Sequence, residues 1–94
     1  MKIVAKQISG SHKTGSIYGL TKAEINAKLG IKPHQYDDEE GDGKVAYEWS
    51  FTADGDECAI WDWKGSGRLG GHSTYGLADT FRKIFGANYR AGSF

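Results

Sequence analysis

The stretch KVAYEWSFTADGDECAIWDWK, Lys44–Lys64, decides the fold. Val45, Tyr47, Trp49 and Phe51 alternate with Ala46, Glu48, Ser50 and Thr52, the period-two pattern of a strand with one buried face. Asp54-Gly55 marks a tight turn, and Cys58–Lys64 returns as the partner strand. Two registers compete. A two-residue loop at Asp54-Gly55 pairs Phe51 with Cys58 and leaves Trp61 and Trp63 on the polar face beside Glu48. A three-residue loop, Asp54-Gly55-Asp56, pairs Ala53 with Glu57 and gathers Val45, Tyr47, Trp49, Phe51, Ala59, Trp61 and Trp63 on one face. Because a one-residue slip exchanges the faces, burial of the larger apolar set selects the three-residue loop. All three tryptophans are then chiefly core, where aromatic rings contribute most. Cys58 reads as a small packed side chain on a strand.

Outward from the hairpin, the clearest signal is a helix over about 22–29. Thr21 and Glu24 form a T-x-x-E capping box, with Leu20 and Ile25 placed as a hydrophobic staple and Gly30 suited to the left-handed residue after the last turn. Residues 2–9 read as a short strand, Gly10–Ser16 as a loop, and Ile17-Tyr18 as a second short strand. Gly65–Gly71 is a flexible connection or an edge approach. Thr74 or Ser73 can cap a last helix over about 75–85, stopped by Gly86, with Leu77, Phe81, Ile84 and Phe85 as its apolar stripe. Asp79 near the start of this helix, and Arg82-Lys83 near its end, agree with the helix dipole. The expectation is one α+β domain over 1–94: a small antiparallel sheet around the hairpin of about 44–64, with helices at about 22–29 and 75–85 packed on one face.

Charge is segregated although it sums to zero. Residues 37–62 hold ten acids against Lys44 alone, so this segment carries nine net negative charges. The flanking segments are basic. A mean hydropathy of −0.56 and an isoelectric point near 6.8 give no general attraction to nucleic acid or to an anionic membrane. No stretch is apolar enough for a membrane span or a signal-peptide core. The single cysteine excludes an internal disulfide framework and fits a reducing cytoplasm. A solvated loop explains the run Asp37–Asp42 most simply. The sharper expectation is an acidic face that docks on a basic protein groove, formed by Asp37, Asp38, Glu39, Glu40, Asp42, Asp54, Asp56 and Glu57.

No motif carries an established chemistry. Gly10–Ser16 lacks the G-K-[ST] ending of a phosphate loop. Asp38–Gly43 matches the opening of a calcium loop, but Trp49 stands where its bidentate glutamate belongs. His12, His34 and His72 lie in separate segments without metal-ligand spacing, so no metal and no cofactor is expected. No nucleophile, base and orienting group share a supporting spacing, and no catalytic residue is assigned. His12, Lys13, Lys64, Arg68 and His72, from the basic glycine-rich loops, form an alternative small-ligand or nucleotide site.

The segments Glu48-Trp-Ser-Phe51, Ala59-Ile-Trp-Asp-Trp-Lys64, Thr74-Tyr-Gly and Ile84-Phe-Gly86 resemble short accessory proteins encoded by bacteriophages, over roughly the C-terminal half of the chain. The resemblance implies a small non-enzymatic protein of the host-cell cytoplasm that binds and inhibits a bacterial host protein or ribonucleoprotein complex, such as a defence nuclease or a CRISPR complex. It brings no catalytic residues. A homodimer is compatible with it, direct nucleic-acid binding and membrane association are not expected, and a nucleotide-sequestering protein or a phage structural component are the other readings.

Overall fold

A computed structural model describes residues 1–8, 12–36, 45–63 and 65–92. The elements run β1 (Ile3–Ala5), β2 (Gly15–Ile17), α1 (Lys22–Leu29), β3 (His34–Gln35), β4 (Tyr47–Ala53), β5 (Asp56–Trp61), a 3-10 turn (Ser66–Leu69), β6 (His72–Tyr75), α2 (Ala78–Phe85), a second 3-10 turn (Gly86–Asn88) and β7 (Tyr89–Ala91). All strand pairs are antiparallel, in the order β1-β4-β5-β6-β2-β7. Strand β3 shares the outer edge of β4 with β1, facing Tyr47 and Glu48 where β1 faces Phe51–Ala53. Both helices cover the same face of this sheet, and the α+β architecture agrees with the expectation.

Helix α1 follows its local signals. Thr21 Oγ1 accepts from the Glu24 amide at 3.2 Å, and Glu24 Oε1 accepts from the Thr21 amide at 2.9 Å. The Thr21 amide bonded to the ionised carboxylate, and after it the Thr21 side chain, hold the Glu24 carboxyl below its ordinary value. Gly30 closes the helix at φ 72°. Ile25 and Leu29 go into the core, and Trp49 Nε1 donates to Asn26 Oδ1 at 2.8 Å, tying the helix to the sheet.

The hairpin register corrects the expectation from burial. Ala53 pairs with Asp56, Phe51 with Cys58 and Trp49 with Ile60, so the loop is the two-residue Asp54-Gly55. Asp54 at φ 50° and Gly55 at φ 89° give the two positive dihedrals of a type I′ turn, whose twist matches that of the strands it joins. The Lys2 amide donates to Asp54 Oδ1 at 2.7 Å and the Asp54 amide donates back to Lys2 O at 2.8 Å, so β1 secures the turn. The opposite alternation also supplies a sufficient buried face. Trp49, Phe51, Cys58, Ile60 and Phe81 are fully buried under the helices, and each large apolar side chain so buried contributes about 1.5–3 kcal/mol. Trp61 and Trp63 therefore leave the core. Cys58 is buried as expected, but on the helix side, where desolvation and then Asp56 push its thiol up to about 11.

The region before α2 differs too. His72–Tyr75 is a strand between β5 and β2, not a capped helix start. Gly76, at φ 137°, breaks the chain there, and Thr14 Oγ1 closes the break by donating to Gly76 O and accepting from the Gly76 amide, both at 3.1 Å. The helix begins only at Ala78, which leaves Leu77 59% exposed outside its predicted stripe. Phe81 and Phe85 keep their places in the core. Gly15 and Ser16, read as loop, belong to β2, and the closing stretch contributes β7.

Candidate functional site

The register determines which side chains point away from the helices. From β4 these are Glu48, Ser50 and Thr52; from β5, Glu57, Ala59 and Trp61; from β6, Ser73 and Tyr75. Trp61 lies opposite Glu48 and is half-buried, while Trp63 just beyond the strand is 44% exposed. Glu48 Oε1 accepts from Ser50 Oγ at 3.0 Å and from the Tyr36 hydroxyl at 3.4 Å. Lys6 pairs with Glu57 at 3.1 Å across half-exposed surface. The outer face is thus a mixed surface of aromatic rings and engaged carboxylates.

At the turn end, Thr14, Asp56, Glu57, Tyr75 and Leu77 line a shallow groove of about 440 Å³. It brings two predicted acids, Asp56 and Glu57, beside an aromatic ring and an exposed leucine. Asp56 also accepts a 3.5 Å hydrogen bond from Thr80 Oγ1. Asp54 is exposed at the tip and holds the Lys2 amide. Asp37, Asp38, Glu39, Glu40 and Asp42 lie outside the described residues, as does Lys64; the Arg68 side chain does too.

Of the alternative ligand residues, the described histidines lie on opposite faces of the sheet. His12 sits edge-on to Tyr75 on the outer face, ring centroids 5.3 Å apart, whereas His72 is buried on the helix side. Lys13 is half-buried beside Thr14. His72 instead belongs to an internal polar cluster. Its Nε2 is 2.9 Å from the Tyr47 hydroxyl, and the buried Asp62 carboxylate accepts from the Ala46 and Tyr47 amides at 2.7 and 3.1 Å. The 3-10 turn packs over this cluster: a Cβ on Gly67 would strike the Tyr47 hydroxyl. Burial, opposed by Asp62, pushes the His72 imidazole below its ordinary value, and burial and Asp62 together push the Tyr47 phenol up. The arrangement braces the 3-10 turn, with His72 Nε2 engaged by Tyr47 and His72 Nδ1 buried without a hydrogen-bond partner among the described residues.

A pH effect follows. A histidine held neutral by folding binds fewer protons than the unfolded chain between the two values, so stability rises with pH in that window. The domain is therefore expected to be most stable above the ordinary value of 6.5 and to lose stability as the pH falls from there through the lowered value. Urea melts at several pH values check this. His72→Phe should flatten the slope between neutrality and pH 5, and an unchanged slope would contradict the assignment.

Among the described residues, no group of three or more His, Cys, Asp or Glu side chains is placed to hold a metal ion, and no helix is long and apolar enough to cross a membrane. Comparison with protein-family models, with curated protein sequences and with solved structures found no match to this chain. The sequence reading did not assign Tyr36, Tyr75 or Glu48 to a site, and set Glu48 beside Trp61 only in the register it did not favour. Glu48 carried a signal, since the two-residue register sets Trp61 beside it; Tyr75 was hidden inside the presumed helix.

Proposed function

We propose that this protein acts by binding a partner protein through the outer sheet face, with Trp63 as an anchor and the acids of the β4–β5 turn as its charged margin. The observation that carries the reading is Trp63, 44% exposed two residues beyond Trp61, whose own side chain points away from the helices. Exposed tryptophans beside polar groups are the residues that dominate protein interfaces. The nine net negative charges of residues 37–62 oppose a phosphate backbone and favour a cationic protein surface. The groove of Asp56, Glu57, Tyr75 and Leu77 suits an arginine or lysine side chain, whose stem needs apolar contact and whose head needs a carboxylate. The resemblance to short phage-encoded proteins supports a bacterial host factor as the target, and a nucleic-acid-binding groove in a defence nuclease or CRISPR complex as the most specific form of that target.

Affinity capture from bacterial lysate tests this with three proteins: wild type, Trp63→Ala and Glu57→Lys. A partner retained by wild type should bind Trp63→Ala at least about thirtyfold more weakly, as expected for a hot-spot side chain. It should also bind Glu57→Lys more weakly, and rising salt should weaken the wild-type complex. A partner captured equally by all three would remove the outer face from the account.

A further inference from the structure

We propose that the Asp54-Gly55 bond at the hairpin tip is a modification site, where the chain isomerises spontaneously to isoaspartate, and that strand β1 is the latch that slows it. Asp54 and Gly55 are the two central residues of the β4–β5 turn, and both are exposed. Glycine leaves its own backbone nitrogen unshielded, and a Cβ built on Gly55 would meet nothing within 4 Å. In such a pair the Gly55 nitrogen can attack the Asp54 carboxyl carbon. The new N–C bond forms, and one carboxyl oxygen leaves as water with the amide proton and a proton from solvent, giving a succinimide. Water then opens the ring at either carbonyl. Opening at the former main-chain carbonyl leaves the backbone running through the Asp54 side chain, longer by one methylene and with a free carboxyl on Cα.

The fold restrains this reaction at two points. The ring would fix the Asp54 ψ in a range far from that of a type I′ turn, so the tip must open before the ring can close. The carboxyl is also held. Its Oδ1 accepts from the Lys2 amide at 2.7 Å, while the Asp54 amide donates to Lys2 O at 2.8 Å. Both bonds come from the residue just before β1, an edge strand of three residues that pairs with β4. Release of this end of β1 frees the carboxyl and loosens the tip together. Local opening of an exposed edge costs far less than global unfolding, so the bond persists while β1 is docked and isomerises during its excursions. An isomerised tip cannot restore Ala53 opposite Asp56, which makes the change one-way. The site rests on the turn and on β1, so it stands independently of the partner-binding reading.

The test is incubation of the full chain at neutral pH and physiological temperature, followed by trypsin digestion and mass spectrometry. Isoaspartate is read in the peptide Val45–Lys64, which separates Asp54-Gly55 from Asp42-Gly43 in the preceding peptide. Wild type unfolded in urea gives the unrestrained rate, and the folded protein should accumulate isoaspartate at position 54 at least about tenfold more slowly. Lys2 and Lys6 both bond to β4, so Val4 between them, opposite Thr52, does too. Val4→Pro removes that donor and should speed isomerisation in the folded protein at least about threefold. Val4→Gly, which weakens β1 without removing a donor, takes its place if circular dichroism shows that Val4→Pro does not fold. Absence of isoaspartate at position 54 from both the folded variant and the unfolded chain would overturn the site. Equal rates in folded and unfolded wild type, or in wild type and the folded β1 variant, would overturn the latch.

Discussion

Trp49→Ala is expected to destabilise the domain by about 3–5 kcal/mol, the range for removing a buried tryptophan. Trp49 is fully buried, it meets the rings of Tyr47 and His72 edge-on at 5.4 and 5.8 Å, and its indole N–H reaches Asn26 on α1. Truncation removes the packing that joins the hairpin to α1 and leaves Asn26 Oδ1 without its donor. Since small domains hold only about 5–15 kcal/mol in total, and each kcal/mol shifts Tm by roughly 4–8 °C at this size, the variant should be partly unfolded near physiological temperature. Trp63→Ala should stay within about 0.5 kcal/mol of wild type, as for an exposed side chain. Denaturant melts followed by circular dichroism compare the two. Equal losses would mean that both rings lie in the core.

The second large effect is expected from Gly15→Ala. A Cβ there would lie 2.5 Å from the Tyr89 hydroxyl, 2.7 Å from Tyr89 Cε1 and 2.7 Å from the Arg90 carbonyl oxygen. Neither obstacle can yield easily. Tyr89 is stacked on Phe81, centroids 5.2 Å apart and planes within 11°, and Arg90 O belongs to the backbone of β7. Because β2 pairs with β6 on one side and β7 on the other, any displacement opens a ladder. The cost should reach the upper part of the roughly 1–3 kcal/mol range of overpacking. Gly71→Ala is the control: its added carbon meets nothing closer than 3.7 Å, so it should stay within about 0.5 kcal/mol of wild type. Equal thermal melts for the two variants would contradict the packing of β7 on β2.

Local signals were legible where they act alone. Thr21, Glu24, Leu20 and Gly30 specify α1 within eleven residues, and the structure follows them. The hairpin was visible too, but its register depended on two physical effects that disagreed. Burying three tryptophans argued for one loop length, and the dihedral preference of Asp54-Gly55 argued for the other. The turn prevailed because the helices could be covered by the smaller set of Trp49, Phe51, Cys58 and Ile60. Serine and threonine before α2 looked like caps although they sit in β6, since polar strand residues and cap residues are the same types. Strands as short as β2, β3 and β7 have too few residues to show a period; Ile17 and Tyr89 are held by the partners that the fold brings to them. That Asp54, Asp56 and Glu57 cluster at the hairpin turn was legible from the turn sequence alone. The aromatic surface became visible only once the register was known.

The central claim, that the two-residue turn puts Trp61 on the outer face and keeps Trp63 out of the core, is tested most directly by measuring how a soluble paramagnetic agent relaxes the three indole N–H signals. The account predicts strong broadening for Trp63, weaker broadening for Trp61, and none for Trp49 bonded to Asn26. Protection of Trp61 and Trp63 equal to that of Trp49 would contradict it, because only the three-residue loop buries all three rings on one face.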